Sequence, residues 1–145
     1  MESVLISACL LGLDCKYDGG ANTLSNSVIA ALRAKYDLVP VCPESYGGLA
    51  SPRPPSERVG DRVLSKEGGD VTDQYEKGAR AALRLAEIFG CRSAILKERS
   101  PSCGHGLIYD GTFSRTLVPG DGVTARLLME HGVKIYGESD IMGLI

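Results

Sequence analysis

The sequence lacks three features that would place the protein in a broad class. It has no run of about eighteen apolar residues, so no segment is long enough to span a membrane. Its net charge is −2 and its Lys and Arg residues form no block, which leaves out the basic face that nucleic acid needs. A large RNA partner is therefore disfavoured. No basic segment precedes an apolar stretch that ends in small residues, and we expect a cytoplasmic protein.

Familiar catalytic motifs are also missing. There is no P-loop, no G-x-G-x-x-G after the first strand and no G-x-S-x-G elbow. No two cysteines form a C-x-x-C pair, so their spacing alone indicates neither a zinc site nor a ferredoxin-type cluster. What the chain does contain is five cysteines in 145 residues. In the cytosol disulfides are rare, and thiols there pack, catalyse or bind metals.

Apolar runs and helical periods alternate along the chain, which is typical of an α/β fold. The predicted strands are residues 4–8, 38–42, 93–97 and 133–136, and the predicted helices are residues 25–35, 73–89 and 121–131. Residues 59–71 and 107–115 are predicted hairpins, and residues 43–55 are a predicted loop without regular structure. We therefore expect a single Rossmann-like domain, residues 1–145, with a mostly parallel four-stranded sheet in the order 2-1-3-4.

Each of the first three predicted strands leads to a cysteine in a loop rich in glycine and proline. These residues are Cys9, Cys42 and Cys103. Because the carboxyl ends of parallel strands meet at one edge of a sheet, the three thiols should converge there. They could instead be small buried hydrophobic residues, an alternative that is strong for one cysteine and weak for all three. Three ligands on separate loops would leave a metal with an open position for substrate.

The other two cysteines have different expectations. Cys15 lies six residues after Cys9, and either packs in its loop or acts as a fourth ligand. Cys91 follows the long predicted helix, at the opposite end of the sheet, and should be structural.

Several polar residues accompany the predicted cysteine site. Glu44 lies two residues after Cys42, where a carboxylate either is solvated or moves protons. Ser100 and Ser102 flank Pro101, and such serines either form turns or hydrogen-bond a polar ring.

Three charged residues and one histidine have open roles as well. Arg53, Glu57 and Arg58 share one inflexible segment, where they could pair with each other. His105 is either an acid or base of the site or a mobile, exposed imidazole.

Seven short segments together resemble the stand-alone domain of the thiouracil desulfidase family. They are SACLLG (7–12), CKYDG (15–19), VCPE (41–44), GGL (47–49), PRPPSE (52–57), SPSCGHG (100–106) and YDG (109–111). The resemblance implies an oxygen-sensitive [4Fe–4S] cluster held by Cys9, Cys42 and Cys103. The iron without a cysteine ligand would take the sulfur of a thiolated pyrimidine such as 2- or 4-thiouracil.

The resemblance also implies roles for polar residues. Glu44 matches the family's catalytic acid/base and Ser100 matches a serine of the substrate pocket, and we predict further substrate contacts for Ser102 and Arg53. Water activated by Glu44 would add at carbon, and sulfur would leave as hydrosulfide without net redox change. Lys16 stands where many relatives have arginine, so a bidentate contact is lost there. Relatives that act on thiolated tRNA carry an additional domain, which we do not expect here.

Three hypotheses follow from the sequence. The first is a non-redox, iron–sulfur desulfidase acting on a thiolated pyrimidine. The second is a module that binds a metal or small ligand in the same pocket without turnover. The third is a thiol enzyme with Cys103 as nucleophile, for which only His105 lies near enough in sequence to activate it.

Overall fold

The structure is a computed structural model, and it describes the whole of residues 1–145. The strands are β1 Glu2–Ser7, β2 Tyr36–Val41, β3 Ser56–Val59, β4 Arg62–Ser65, β5 Ser93–Leu96, β6 Leu107–Tyr109, β7 Leu117–Pro119 and β8 Lys134–Gly137. The helices are α1 Asn26–Lys35, α2 Pro43–Tyr46, α3 Thr72–Phe89 and α4 Val123–Glu130, with 3₁₀ turns at Ala8–Leu11 and Glu138–Gly143.

The main sheet has four parallel strands in the order β2-β1-β5-β8. This arrangement confirms the predicted α/β class and the predicted order 2-1-3-4 of the sheet strands. β1 lies in the middle, where Val4 pairs with Leu38 on one side and Ser93 on the other. Its apolar run is almost completely buried, as a strand covered on both faces requires.

The sheet is covered on both faces because successive side chains of a strand point to opposite sides. Leu5 packs in a core with residues of α3 and α4, among them Ala82 and Leu128. Val4 and Ile6 pack on the other face, with α1 and the C-terminal 3₁₀ turn. The order of the strands thus fixes which loops leave the sheet side by side.

Helix α2 is a correction to the prediction of an irregular loop over residues 43–55. Pro43 begins the helix, a position where its missing N–H costs nothing, and Gly47 ends it. A Cβ on Gly47 would lie 2.0 Å from the carbonyl oxygen of Gln74, and a Cβ on Gly78 would lie 1.9 Å from that of Pro43. The backbones of α2 and α3 therefore touch, which only glycine permits at these two positions.

The ends of α1 and α3 are fixed by local hydrogen bonds and by a glycine. Ser25 caps α1 by accepting a hydrogen bond from Val28 N at 3.3 Å. At the start of α3, Asp70 Oδ1 accepts a hydrogen bond from Thr72 N at 2.9 Å. Gly90 ends α3 in the left-handed conformation, at φ 66°.

Both predicted hairpins form, but neither has the predicted bounds. β3 begins at Ser56, three residues before the predicted start, and the chain turns again before a bridge between Leu64 and Asp70. The second hairpin was predicted over residues 107–115, but β6 and β7 are joined by the long loop 110–116, so β7 lies beyond the predicted range. None of the helices combines the length and the apolar character needed to cross a membrane.

Candidate functional site

The carboxyl ends of β1, β2 and β5 open onto one cavity of about 470 Å³. Cys9, Cys42 and Cys103 all line it, so the structure brings the three predicted ligands to one place. Cys15 lines the same cavity. Cys91 is buried in the core on the α3 side, at the start of β5.

Cys9 is held by the turn that follows β1. The chain passes directly from the strand into the 3₁₀ turn, which Gly12 ends at φ 97°. Asn22 fixes the loop from the other side, donating its backbone N–H to the carbonyl of Cys9 at 2.9 Å and its side-chain amide to Sγ at 3.5 Å. Burial raises the pKa of the Cys9 thiol, and the bond from Asn22 opposes that rise.

Cys42 occupies the junction of β2 and α2, next to Cys15. Its Sγ accepts a hydrogen bond from Ser45 Oγ at 3.3 Å and lies 3.8 Å from the carbonyl oxygen of Cys15. Burial and the neighbouring Cys42 raise the pKa of Cys15 to about 12. Cys15 thus contacts one of the predicted ligands and does more than pack within its own loop.

Cys103 lies deepest in the site, at 6% exposure. Ser100 Oγ accepts from its backbone N–H at 2.7 Å, and a Cβ on Gly104 would lie 2.7 Å from the carbonyl oxygen of Ser100. This tight loop points the thiol inward. Burial, followed by the charge of Glu44, raises the pKa of Cys103 to about 12, and side-chain hydrogen bonds with Ser7 and Ser102 oppose that rise.

The two oxygens of Glu44 have different surroundings. Oε2 accepts from Arg53 Nη2 at 2.7 Å, from Arg53 Nε at 3.1 Å and from Tyr75 Oη at 3.1 Å. Oε1 takes part in no hydrogen bond. Every buried side-chain polar atom of the structure has a hydrogen-bond partner, so Oε1 is not buried. Oε1 is therefore open to the cavity, while the bonds on Oε2 fix the direction of the carboxylate.

Tyr75 is a site residue that the sequence analysis missed. It is 2% exposed on α3, and its hydroxyl reaches Glu44 because α2 and α3 touch. Burial and then the charge of Glu44 raise its pKa, so it acts as a hydrogen-bond donor. The helical period marks Tyr75 only as part of an apolar face. The available signal was its hydroxyl, since a buried tyrosine needs a polar partner.

Arg53 lies in the cavity wall with its side chain only 8% exposed. Besides Glu44, it donates to the carbonyl oxygens of Ala50 at 3.0 Å and Cys15 at 3.1 Å. Burial lowers its pKa, but the neighbouring carboxylate outweighs burial and the net shift is upward. Most of its donors are thus used within the protein, which favours a role in positioning Glu44 over the predicted contact with substrate.

The expectation that Arg53, Glu57 and Arg58 pair with each other is wrong. Glu57 Oε1 accepts from the backbone N–H groups of Gly111 and Phe113, at 2.9 and 3.1 Å. Arg58 donates to the carbonyl oxygens of Asp121 and Gly60. These residues hold the second hairpin and the start of α4 against β3.

The two predicted serines face different directions. Ser100 lines the cavity, and its oxygen accepts from Cys103 N, so its O–H proton is free to be donated. Ser102 has no exposed surface and pairs with Thr124 Oγ1 at 2.8 Å. That burial does not fit the substrate contact predicted for Ser102, because the hydroxyl is used to attach the loop to α4.

His105 is not part of the cavity lining. Its side chain is 41% exposed and its Nδ1 lies 2.7 Å from Asp121 Oδ1. The exposed alternative for His105 therefore fits the structure better than a role as acid or base. Lys16, by contrast, does line the cavity, and its ammonium lies 3.5 Å from Asp18 Oδ2.

The cavity is basic although the chain is slightly acidic. Six cationic side chains line it, against three carboxylates. The cations are Lys16, Arg53, Lys66, Lys97, Arg99 and Arg115, and the carboxylates are Glu44, Glu57 and Glu98. Positive charge favours the thiolate, the form in which cysteine binds a metal, and here Lys97 and Arg53 oppose the larger effect of burial on the pKa of Cys9 and of Cys15 respectively.

Backbone strain is concentrated at the same cavity. Three residues other than glycine have a positive φ, namely Arg99 at 72°, Phe113 at 57° and Arg115 at 60°. All three line the cavity. Such conformations cost of order 1–3 kcal/mol each and cluster at functional sites.

The donor set suits a metal cluster better than a single ion. No group of three or more His, Cys, Asp and Glu side chains is arranged to hold one metal ion. In a [4Fe–4S] cluster the ligating thiolates are on different irons, so they are spread more widely than the ligands of one ion. Three thiols on three loops around a basic cavity fit that requirement in number and chemistry.

Comparison with known proteins gives three similarities. The sequence model of the 2-thiouracil desulfurase family matches residues 4–140. The uncharacterized protein YbbK of Bacillus subtilis (strain 168) is 36% identical, over 98% of this chain and 99% of its own. The solved structure of a [4Fe–4S]-dependent thiouracil desulfidase, TudS, superimposes with a TM-score of 0.94 at 42% identity, covering 99% of this chain and 95% of that one.

Proposed function

The chain belongs to the 2-thiouracil desulfurase family, and from this premise we propose that it is a [4Fe–4S]-dependent desulfidase of thiolated pyrimidines. The reaction is non-redox. Water replaces sulfur at the thiocarbonyl carbon of a base such as 2- or 4-thiouracil, giving uracil and hydrosulfide. The substrate is a small molecule and not a large RNA, in keeping with the net charge of −2.

One observation carries this proposal. Three cysteines that are far apart in sequence line a single cavity together with Glu44, whose Oε1 makes no hydrogen bond and faces that cavity. Cys9, Cys42 and Cys103 would hold the cluster. When bound, the cluster supplies a Lewis acid, an iron without a cysteine ligand, for the soft sulfur of the substrate.

The chain's own residues provide the remaining chemistry. Glu44 takes a proton from water at Oε1, because Oε2 is occupied by Arg53 and Tyr75. The hydroxyl of Ser100 donates to a polar atom of the ring, since its oxygen already accepts from the backbone of Cys103. The proton held by Glu44 then leaves with the departing sulfur. The carbon keeps its oxidation state, so no electron donor is needed.

The test begins with protein purified without oxygen. We expect a brown protein whose absorption indicates an iron–sulfur cluster and which converts 2- or 4-thiouracil to uracil and sulfide. Cys9→Ser should lose both the absorption and the activity. A colourless protein after anaerobic reconstitution with iron and sulfide contradicts the proposal.

Glu44→Gln separates an enzyme from a binding module in the same pocket. An enzyme should lose about 10²–10⁴-fold in kcat, the usual contribution of a general acid–base group. Its cluster absorption and its affinity for the substrate should change little. If wild-type protein with a full cluster binds thiouracil but forms no uracil, the binding module is correct. The thiol-enzyme hypothesis has little support, because His105 lies outside the cavity and Cys103 is deeply buried.

A further inference from the structure

Cys15 is the cysteine of the cavity that the proposed chemistry does not use. It contacts one of the predicted ligands, since Cys42 Sγ lies 3.8 Å from its carbonyl oxygen. Both thiols are free and both residues are partly exposed. The two side chains also meet, since a side-chain hydrogen bond with Cys42 is among the causes that raise the pKa of the Cys15 thiol. A disulfide requires Cα atoms no more than about 7 Å apart and thiols that face each other, and two cysteines in side-chain contact are the pair in the cavity best placed for it.

The other cysteines are poorer partners for Cys42. Cys9 Sγ accepts a hydrogen bond from Asn22, whose backbone N–H also binds the carbonyl of Cys9. Cys103 is 6% exposed behind its tight loop. Cys91 lies in the core away from the cavity. Arg53 holds the carbonyl of Cys15 at 3.1 Å and keeps Cys15 next to Cys42.

We propose that Cys15 and Cys42 are a modification site: in protein without a cluster, hydrogen peroxide converts them to a reversible disulfide. One thiol is oxidised to a sulfenic acid and releases water. The second thiol attacks that sulfur, forms the S–S bond and releases a second water. The two thiols together give up two electrons and two protons, and the peroxide is reduced to two waters. A dithiol reverses the bond by exchange.

The disulfide has two consequences. Cys42 cannot bind iron while it is bridged, so oxidised protein takes up no cluster until it is reduced. The bridge also stops oxidation at a reversible stage, because a sulfenic acid without a neighbouring thiol goes on to the sulfinic acid. Cys15 therefore acts as the resolving thiol for Cys42. Neither consequence depends on turnover of thiouracil.

The test uses the full chain with its cluster removed by a chelator. The protein is treated with about one equivalent of hydrogen peroxide, its remaining thiols are alkylated, and it is digested before aspartate residues. Asp14 lies between Cys9 and Cys15, so this digestion gives the two cysteines separate fragments. Mass spectrometry should show loss of two of the five thiols and a fragment pair joined through Cys15 and Cys42. Dithiothreitol should restore both thiols.

Cys15→Ser supplies the second measurement. It should show no such bridge, a sulfinic acid at Cys42 that dithiothreitol does not reverse, and a several-fold loss of iron uptake after oxidation and reduction. Cys91→Ala is the matched control and should behave as wild type. A wild-type bridge between Cys9 and Cys42, or equal recovery of iron uptake in wild type and Cys15→Ser, overturns the proposal. Mapping of the wild-type bridge requires no variant, so misfolding of Cys15→Ser does not remove the test.

Discussion

The ion pair between Arg53 and Glu44 should be the strongest single polar contribution to the stability of the cavity. Its side chains are only 8% and 16% exposed, and two N–H donors of Arg53 reach the same carboxylate oxygen. Arg53→Met removes those donors and keeps most of the apolar stem. What remains is a mostly buried carboxylate whose only other partner is the hydroxyl of Tyr75.

The expected cost follows from that geometry. Removing one partner of a buried pair costs about 3–5 kcal/mol, because the other charge is left uncompensated. Oε1 of Glu44 is open to the cavity and retains some hydration, so we expect a loss of about 2–4 kcal/mol in the free energy of unfolding. The exposed pair of Arg62 with Asp70, with side chains 58% and 41% exposed, is the matched control. Arg62→Met should leave the free energy of unfolding almost unchanged, because an exposed ion pair is screened by water.

Urea unfolding of cluster-free protein measures both variants. The double variant Arg53→Met with Glu44→Gln should recover part of the loss, because it no longer buries an unpaired charge. The coupling energy between the two sites should be about 1–3 kcal/mol. The reasoning is refuted if Arg53→Met costs no more than Arg62→Met, or if the two changes are additive within about 0.5 kcal/mol.

Three further predictions test other contacts. Tyr75→Phe removes one donor from Glu44 and should lower kcat about tenfold with KM little changed, which corresponds to about 1.4 kcal/mol in steady-state assays without oxygen. Gly78→Ala puts a Cβ 1.9 Å from the carbonyl oxygen of Pro43 in α2. The clash should cost more than the gain of about 1 kcal/mol in helix propensity, so both the free energy of unfolding and the uptake of iron should fall. Gly143→Ala is the control: its added Cβ meets no atom within 4 Å, so neither the free energy of unfolding nor the uptake of iron should fall. Hydrogen bonds from Thr72, followed by one from Arg62, lower the pKa of Asp70 to about 2. The ionised Asp70 therefore stabilises the folded state at pH values above its pKa of about 3.9 in the unfolded chain, and this stabilisation is lost as pH falls toward 2. Unfolding measured across that range should show a shallower loss of stability in Asp70→Asn.

The sequence was sufficient to predict the parts of the molecule that depend on local pattern and on parallel topology. Continuous apolar runs marked β1 and β5, and the rule that parallel strands present their carboxyl ends at one edge placed Cys9, Cys42 and Cys103 together. Those inferences needed no knowledge of side-chain direction.

The parts that the sequence did not predict depend on contacts between distant backbones. The glycines of residues 47–48 and the prolines nearby argued against a helix, and only the contact of α2 with α3 explains why one forms there. Tyr75 then joins the site through that contact. Ser100 and Ser102 are two residues apart and chemically identical, yet the loop turns one hydroxyl to the cavity and the other to Thr124. No periodicity distinguishes two such neighbours.

The same topology explains why the site has charge partners as well as thiols at its edge. Lys97 directly follows β5 and lines the cavity, and its ammonium lies 2.8 Å from Glu138 Oε1. Glu138 directly follows β8, so the fourth strand delivers a carboxylate to the edge where the other three deliver cysteines. That carboxylate also accepts from Glu98 N at 2.8 Å, which fixes the start of the loop that carries Cys103. A sheet with β8 elsewhere would still bring the thiols together, but it would leave Lys97 and this loop without their shared anchor.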